Sequence, residues 1–268
     1  MRPIILVAGA VFRESVRDRV PLGMAIFAAL LMAASFLIGQ LTAGQDMKII
    51  KDLGLAALSI FGLLIAVFIG IGLVSKEVER KSIYGLITKP ITRGQFILGK
   101  YAGLVVTLAT NLAVMTLALY GVLFYVNAMT PEPTRATWPA PAMDPRLLIA
   151  VGLIFAELMI VTAVALFFST FSSPLLSTIL TLGLWTAGHF NEDLRHFETV
   201  VDAPAAAILA KVLYYVLPNL APFDVKSQVV AAIPVTTAQI AYTIGYAVLY
   251  ISILLLGAIT IFRRRDFK

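Results

Sequence analysis

A carboxylate set inside a long apolar run is the first residue of this sequence able to do chemistry. Glu157 is the only acidic residue in the stretch 147–171, about 15 Å along a helix from its Leu147 end. An ionised carboxylate at the centre of a bilayer is expensive, so such a residue handles a proton or substrate, or else makes a hydrogen bond between helices. Asn111 lies at similar depth in the run 101–126 and is the partner expected for the second reading. The two residues together mark a candidate translocation pathway. His189 and His196 stand beside Glu192 and Asp193. A metal needs convergent ligands, and a solvated loop is the reading this spacing favours. Met47, Met129 and Met143 are placed on loops and are too scattered for a copper site. Residues 94–101, Gly-Gln-Phe-Ile-Leu-Gly-Lys-Tyr, fall one residue short of a phosphate-binding P-loop. Tyr101 stands where a Ser or Thr would hold magnesium, and no buried strand precedes the segment. No Ser/His/Asp set or carboxylate pair supports an enzyme. This chain is therefore expected to carry no cofactor or metal; if ATP drives it, ATP and magnesium belong to another subunit.

The stretch 76–100 mixes charge with regularly spaced apolar residues, between the uncharged run 53–75 and the run 101–134, whose one charge is Glu132. Val78, Ile83, Leu86 and Ile87 fall at mostly helical spacing, and Glu77 precedes Lys81 by four. Pro90 stops that helix, because it lacks an amide hydrogen and disfavours a helical Lys89. Thr92 and Gln95 then have the spacing of a capping box for a fresh helix. A short amphipathic helix, a turn and a new helix form a surface that suits a cytoplasmic partner.

Glu79, Arg80, Leu86, Ile87, Pro90, Arg93, Leu98, Gly99 and Lys100 carry a resemblance to the ABC type-2 permease family, which includes a branch serving multi-copper-enzyme maturation. Lys81-Ser82 replaces the Gly-Thr often found there, and Thr88-Lys89 stands for the usual polar pair. The resemblance implies that the loop is a coupling helix docking into an ATPase subunit, with Glu79, Arg80, Lys81, Ile83, Tyr84, Leu86, Ile87, Pro90 and Arg93 in contact. It also implies a second permease copy or similar chain, and an outer re-entrant hairpin before the last span.

Composition sets the frame for these residues. The chain has 268 residues, 60% hydrophobic and 13% charged, with a mean hydropathy of +0.92; a soluble domain averages about 25% charged. Without cysteine there are no disulfides or thiolate metal sites. The net charge of +6 is concentrated at both termini and in the 76–100 loop, which reads as a topology signal rather than a nucleic-acid stripe. Ala8-Gly9-Ala10 mimics a signal-peptidase site, but the apolar run before it is too short. Residues 3–19 read as an amphipathic helix at the lipid surface, with Ile4, Ala8, Phe12 and Val16 on its apolar face. Spans are expected at 22–41, 53–75, 101–126, 147–171, 174–189 and 240–262. Gly62, Gly70 and Gly72 in the second span either allow close helix approach or are plain membrane glycines. Asp144 and Pro145 should begin the fourth span. Residues 190–235 form an outer loop or re-entrant segment.

The expected fold is an all-α integral membrane protein with six spans, an interfacial helix, a coupling helix and an outer hairpin. Fourteen of the 21 Lys and Arg then fall on one side, which puts both termini in the cytoplasm and the chain in the inner membrane. Two functions fit. One is the permease of an ATP-driven exporter; the other is a non-transport scaffold or sensor whose basic loop binds another partner or anionic lipid.

Overall fold

The computed structural model describes residues 2–17, 19–40, 46–79, 92–191, 211, 214 and 217–264, and in it the apolar runs are helices. A helix satisfies its backbone groups internally, which is what lipid demands. The long ones are α1 (Arg2–Arg17), α2 (Arg19–Gln40), α3 (Asp46–Glu79), α4 (Arg93–Met129), α5 (Leu147–Ser169), α6 (Pro174–His189) and α7 (Thr237–Arg264). Single turns at Glu132–Arg135, Ala221–Phe223 and Lys226–Val230 punctuate the connections. Among the described residues there is no strand. Stretches of α3, α4, α5 and α7 are long and apolar enough to cross a membrane. The apolar part of α2 within the described residues is the shorter Gly23–Ala34, and α6 has only 16 residues.

Sequence signals set several helix ends. Thr92 accepts from the Gln95 amide at 3.3 Å while Gln95 Oε1 accepts from the Thr92 amide at 3.1 Å, the expected capping box. Ser173 caps α6, with Pro174 in its first turn. Asp144 acts one step earlier than a cap would. Its Oδ1 accepts from the Arg146 amide at 2.9 Å, and regular helix begins at Leu147.

Two boundaries move outward from the sequence reading. The helix of the second span begins at Asp46 rather than at 53, so Lys51 is not in a free connection. It is buried, and its Nζ donates to the Pro141 carbonyl at 2.7 Å. Met47 is likewise packed into the core of α3 rather than lying on a loop. The helix of the third span runs unbroken from Arg93 to Met129, 37 residues, with the expected span 101–126 inside it.

α5 is the hub. Its apolar residues face every direction, and it packs against α3, α4, α6, α7 and the returning segment that ends in Lys226–Val230. Leu147, Leu153 and Leu158 join a core with α2, α3 and α4 on one side. Ile160, Val164 and Leu166 join a second core with Phe96, Phe223, Ile251 and Phe262 on the other. Two of the second-span glycines allow close contact with α5. A side chain at Gly62 would run into Leu158, and one at Gly70 would meet Ala165 at 3.0 Å, whereas Gly72 faces open space.

α1 does more than present an apolar face to lipid. It lies across the first half of α4, where a Cβ on Gly99 would be 2.6 Å from Val7 and one on Gly103 would be 2.7 Å from the Ala8 carbonyl. Two glycines four apart leave a groove that lets the helices touch backbone to backbone. The contact face is therefore Val7, Ala8 and Val11, with Val11 packed on Leu104. Val16, assigned to the apolar face from its spacing, is exposed.

Candidate functional site

Two groupings gather the polar residues at helix contacts. The first sits where α4 begins. Arg93 Nη1 donates to the carbonyls of Phe262 at 3.0 Å and Arg263 at 3.1 Å, on the last turn of α7. The last carbonyls of a helix have no partner within it and carry partial negative charge, so a guanidinium is well matched to them. Phe96 stacks on Phe262 with centroids 5.9 Å apart. Lys100, only 1% exposed, holds its ammonium 4.9 Å from the Phe96 ring centre. Gly94 is packed against Ile259. With α1 lying in the Gly99–Gly103 groove, the start of α4, the end of α7 and α1 form one tightly joined body.

This body stands beside the coupling loop read from the sequence. Of the residues expected at an ATPase contact, Arg80, Lys81, Ile83, Tyr84, Leu86, Ile87 and Pro90 lie outside the described residues. Glu79 is the last residue of α3. Arg93 is held by α7. Gly99 and Lys100 receive a physical account: Gly99 is the floor of the α1 groove and Lys100 is buried over an aromatic ring, whereas Leu98 is exposed.

The second grouping surrounds Glu157, whose side chain is 1% exposed. Trp185 Nε1 on α6 donates to its Oε1 at 2.6 Å. His189, one turn beyond Trp185, places Nε2 3.5 Å from the same oxygen. The two rings lie against one another, centroids 4.6 Å apart. Glu157 Oε2 is buried with no hydrogen-bond partner. Asn111 is not part of this set, because its Nδ2 donates to the Thr107 carbonyl of its own helix at 2.9 Å. His196, Glu192 and Asp193 lie outside the described residues.

α6 reaches this depth because it is short, rising about 24 Å before it ends at His189. The chain that returns at 217 closes over that end. The Leu220 amide donates to the Gly188 carbonyl at 2.9 Å, and Asn191 Nδ2 donates to the Tyr214 and Leu217 carbonyls. Farther along, the ion pair Asp224–Lys226, 3.5 Å apart, lies within electrostatic range of Glu157.

Nothing in the residue pattern alone pointed to Trp185 as a partner of Glu157. The usable signal was the spacing of Trp185 and His189, which puts both on one face of a helix that the Ser172-Ser173-Pro174 turn folds back along α5.

Among the described residues there are four helices of spanning length, one of them a hub that buries a carboxylate, the architecture of a multi-pass helical membrane protein. Residues 5–267 match the family model of the ABC-2 family transporter proteins, and the chain belongs to that family. It is thus a permease, a transport subunit rather than a catalytic one. Comparison with curated proteins gives no match.

Proposed function

We propose that this chain is the membrane permease of an ATP-driven exporter in the cell's inner membrane, with six crossings and both termini in the cytoplasm. α2 and α6 supply the two crossings beyond the four long apolar helices, the latter completed by the outer segment that returns over its end. Two copies, or one copy and a similar chain, form the pathway. ATP and magnesium are held by two separate ATPase subunits, which press on the loop between α3 and α4 through Tyr84, Leu86 and Ile87, with Glu79, Arg80 and Lys81 at the rim.

The observation that carries this reading is the joined body at the start of α4, in a chain whose family membership is that of a transporter. A push on the loop acts directly on α4, and the Arg93 clasp and the Gly99–Gly103 groove pass it to α7 and α1. A pushed loop without such connections would move alone. Among the described residues, no feature speaks for the scaffold or sensor reading.

Docking helices bind through central apolar anchors, and rim charges matter less. Leu86→Asp is therefore expected to abolish co-purification of the ATPase while membrane insertion is unchanged. A Leu86→Asp permease that retains the ATPase as well as the unsubstituted chain overturns the docking assignment.

A further inference from the structure

The hydrogen-bond geometry around Glu157 counts protons. His189 Nδ1 lies 3.1 Å from the Trp185 carbonyl. A carbonyl oxygen can only accept, so Nδ1 carries a hydrogen there. In the neutral imidazole the other nitrogen, Nε2, is then a bare acceptor. That nitrogen faces Glu157 Oε1 at 3.5 Å, and an ionised carboxylate oxygen is also a bare acceptor. Two lone pairs aimed at one another in a buried site repel. The approach is favourable only when one proton lies between them, on the carboxyl or on the imidazole.

We infer that Glu157 and His189 form a proton-binding site, holding one exchangeable proton between α5 and α6. Its two forms balance simply. The loaded form has one proton shared by a carboxyl and an imidazole; release passes H+ to water and leaves a carboxylate facing a neutral imidazole. His189 keeps 20% of its side chain exposed while Glu157 is sealed, so the imidazole is the open side of the pair. The C-terminal position of His189 on α6 also suits a transient imidazolium, since helix C-termini favour cations.

Among the described residues, the other polar groups near the pair are engaged with one another. Asp224 and Lys226 neutralise one another on the returning segment. The Tyr246 phenol of α7 accepts from the Asn219 amide, and the Tyr101 phenol of α4 donates to the Met159 carbonyl. α3 meets this stretch through Gly62 against Leu158, with no charge there. Losing the proton therefore acts on the α5–α6 contact itself. This inference concerns the chain alone and holds whether or not an ATPase docks on the loop.

Trp185 is a built-in reporter, because its N–H donates to the titrating carboxyl and its ring lies on the imidazole. The chain has 2 Trp, so Trp138→Phe leaves Trp185 alone. In the full chain in lipid nanodiscs, Trp185 emission is expected to show one transition between about pH 5 and pH 8, the range in which imidazoles change charge. The transition belongs to the pair. Adding Glu157→Gln, or adding His189→Asn, should abolish it or move its midpoint by about one pH unit or more. Glu157→Gln keeps an acceptor for Trp185, and thermal unfolding run in parallel identifies folded variants. If the His189→Asn chain does not fold, His189→Gln is judged by the same criterion. Emission that is flat with pH, or a transition left in place by either substitution, overturns the inference.

Discussion

Trp185 satisfies one oxygen of a buried carboxyl group whose other oxygen has no partner. Removing that donor leaves the group only its 3.5 Å approach to His189, and an under-served buried polar group costs about 1–3 kcal/mol. Trp185→Phe is therefore expected to lower the thermal unfolding temperature of the purified permease. Adding Glu157→Leu should recover most of the loss, because an apolar pair of similar volume needs no partner. Equal stability of Trp185→Phe and the parent would show that the 2.6 Å bond contributes nothing. The sequence marked Glu157 plainly, as a lone acid in an apolar run, but its partner could not be read the same way. Asn111 matched it in depth and in neighbouring chain order. On a helix, though, an Asn amide can bond to the carbonyl four residues back, and Asn111 does so with Thr107. His189 looked like loop because charged residues follow it at once; only the packing of α6 along α5 turns it inward.

Helix contacts follow a similar division. The capping box at Thr92 is a local arrangement of backbone and side chain, fully contained in four residues, and was legible before any packing was known. The groove formed by Gly99 and Gly103 was not, since a glycine's neighbour across an interface leaves no trace in its own segment. Spacing likewise gave α1 an apolar face for lipid, with Val16 on it, but not the packing face, on which Val7 and Val11 meet α4. Filling the groove should displace α1. With Val11→Cys and Leu104→Cys in this cysteine-free chain, oxidative cross-linking is expected to be efficient, and Gly103→Leu should reduce it sharply. The Arg93 clasp gives a second outcome at this scale. Arg93→Ala frees two carbonyls on the last turn of α7, and charged hydrogen bonds of this kind contribute about 1.5–3 kcal/mol. Amide exchange at 260–264 should accelerate while that at 245–255 stays as in the parent.

For the whole molecule, the order of the helices was legible from the alternation of apolar runs and charge, and the partners of each helix were not. α5 became the hub although, Glu157 aside, its segment reads like the other apolar runs; in lipid, an apolar helix fits the centre or the edge equally well. The proposed topology has a direct check. Trp138→Cys should react with an impermeant thiol reagent in intact cells, and Lys81→Cys only after the membrane is opened. Labelling of position 81 in sealed cells would invert the arrangement.

The length of α4 has a mechanical meaning at this scale. Its 37 unbroken residues extend about 55 Å, against a hydrocarbon core of about 30 Å. It is gripped near its first residues by α1 and α7, and toward its other end the Tyr120 phenol donates to the Asp144 carbonyl at 3.0 Å. A stiff rod held in this way behaves as the needle of a gauge. A small tilt imposed at the Arg93 tip sweeps the Met129 tip in step, so residues 130–146 beyond the far end of the rod register what is done to the chain at its start.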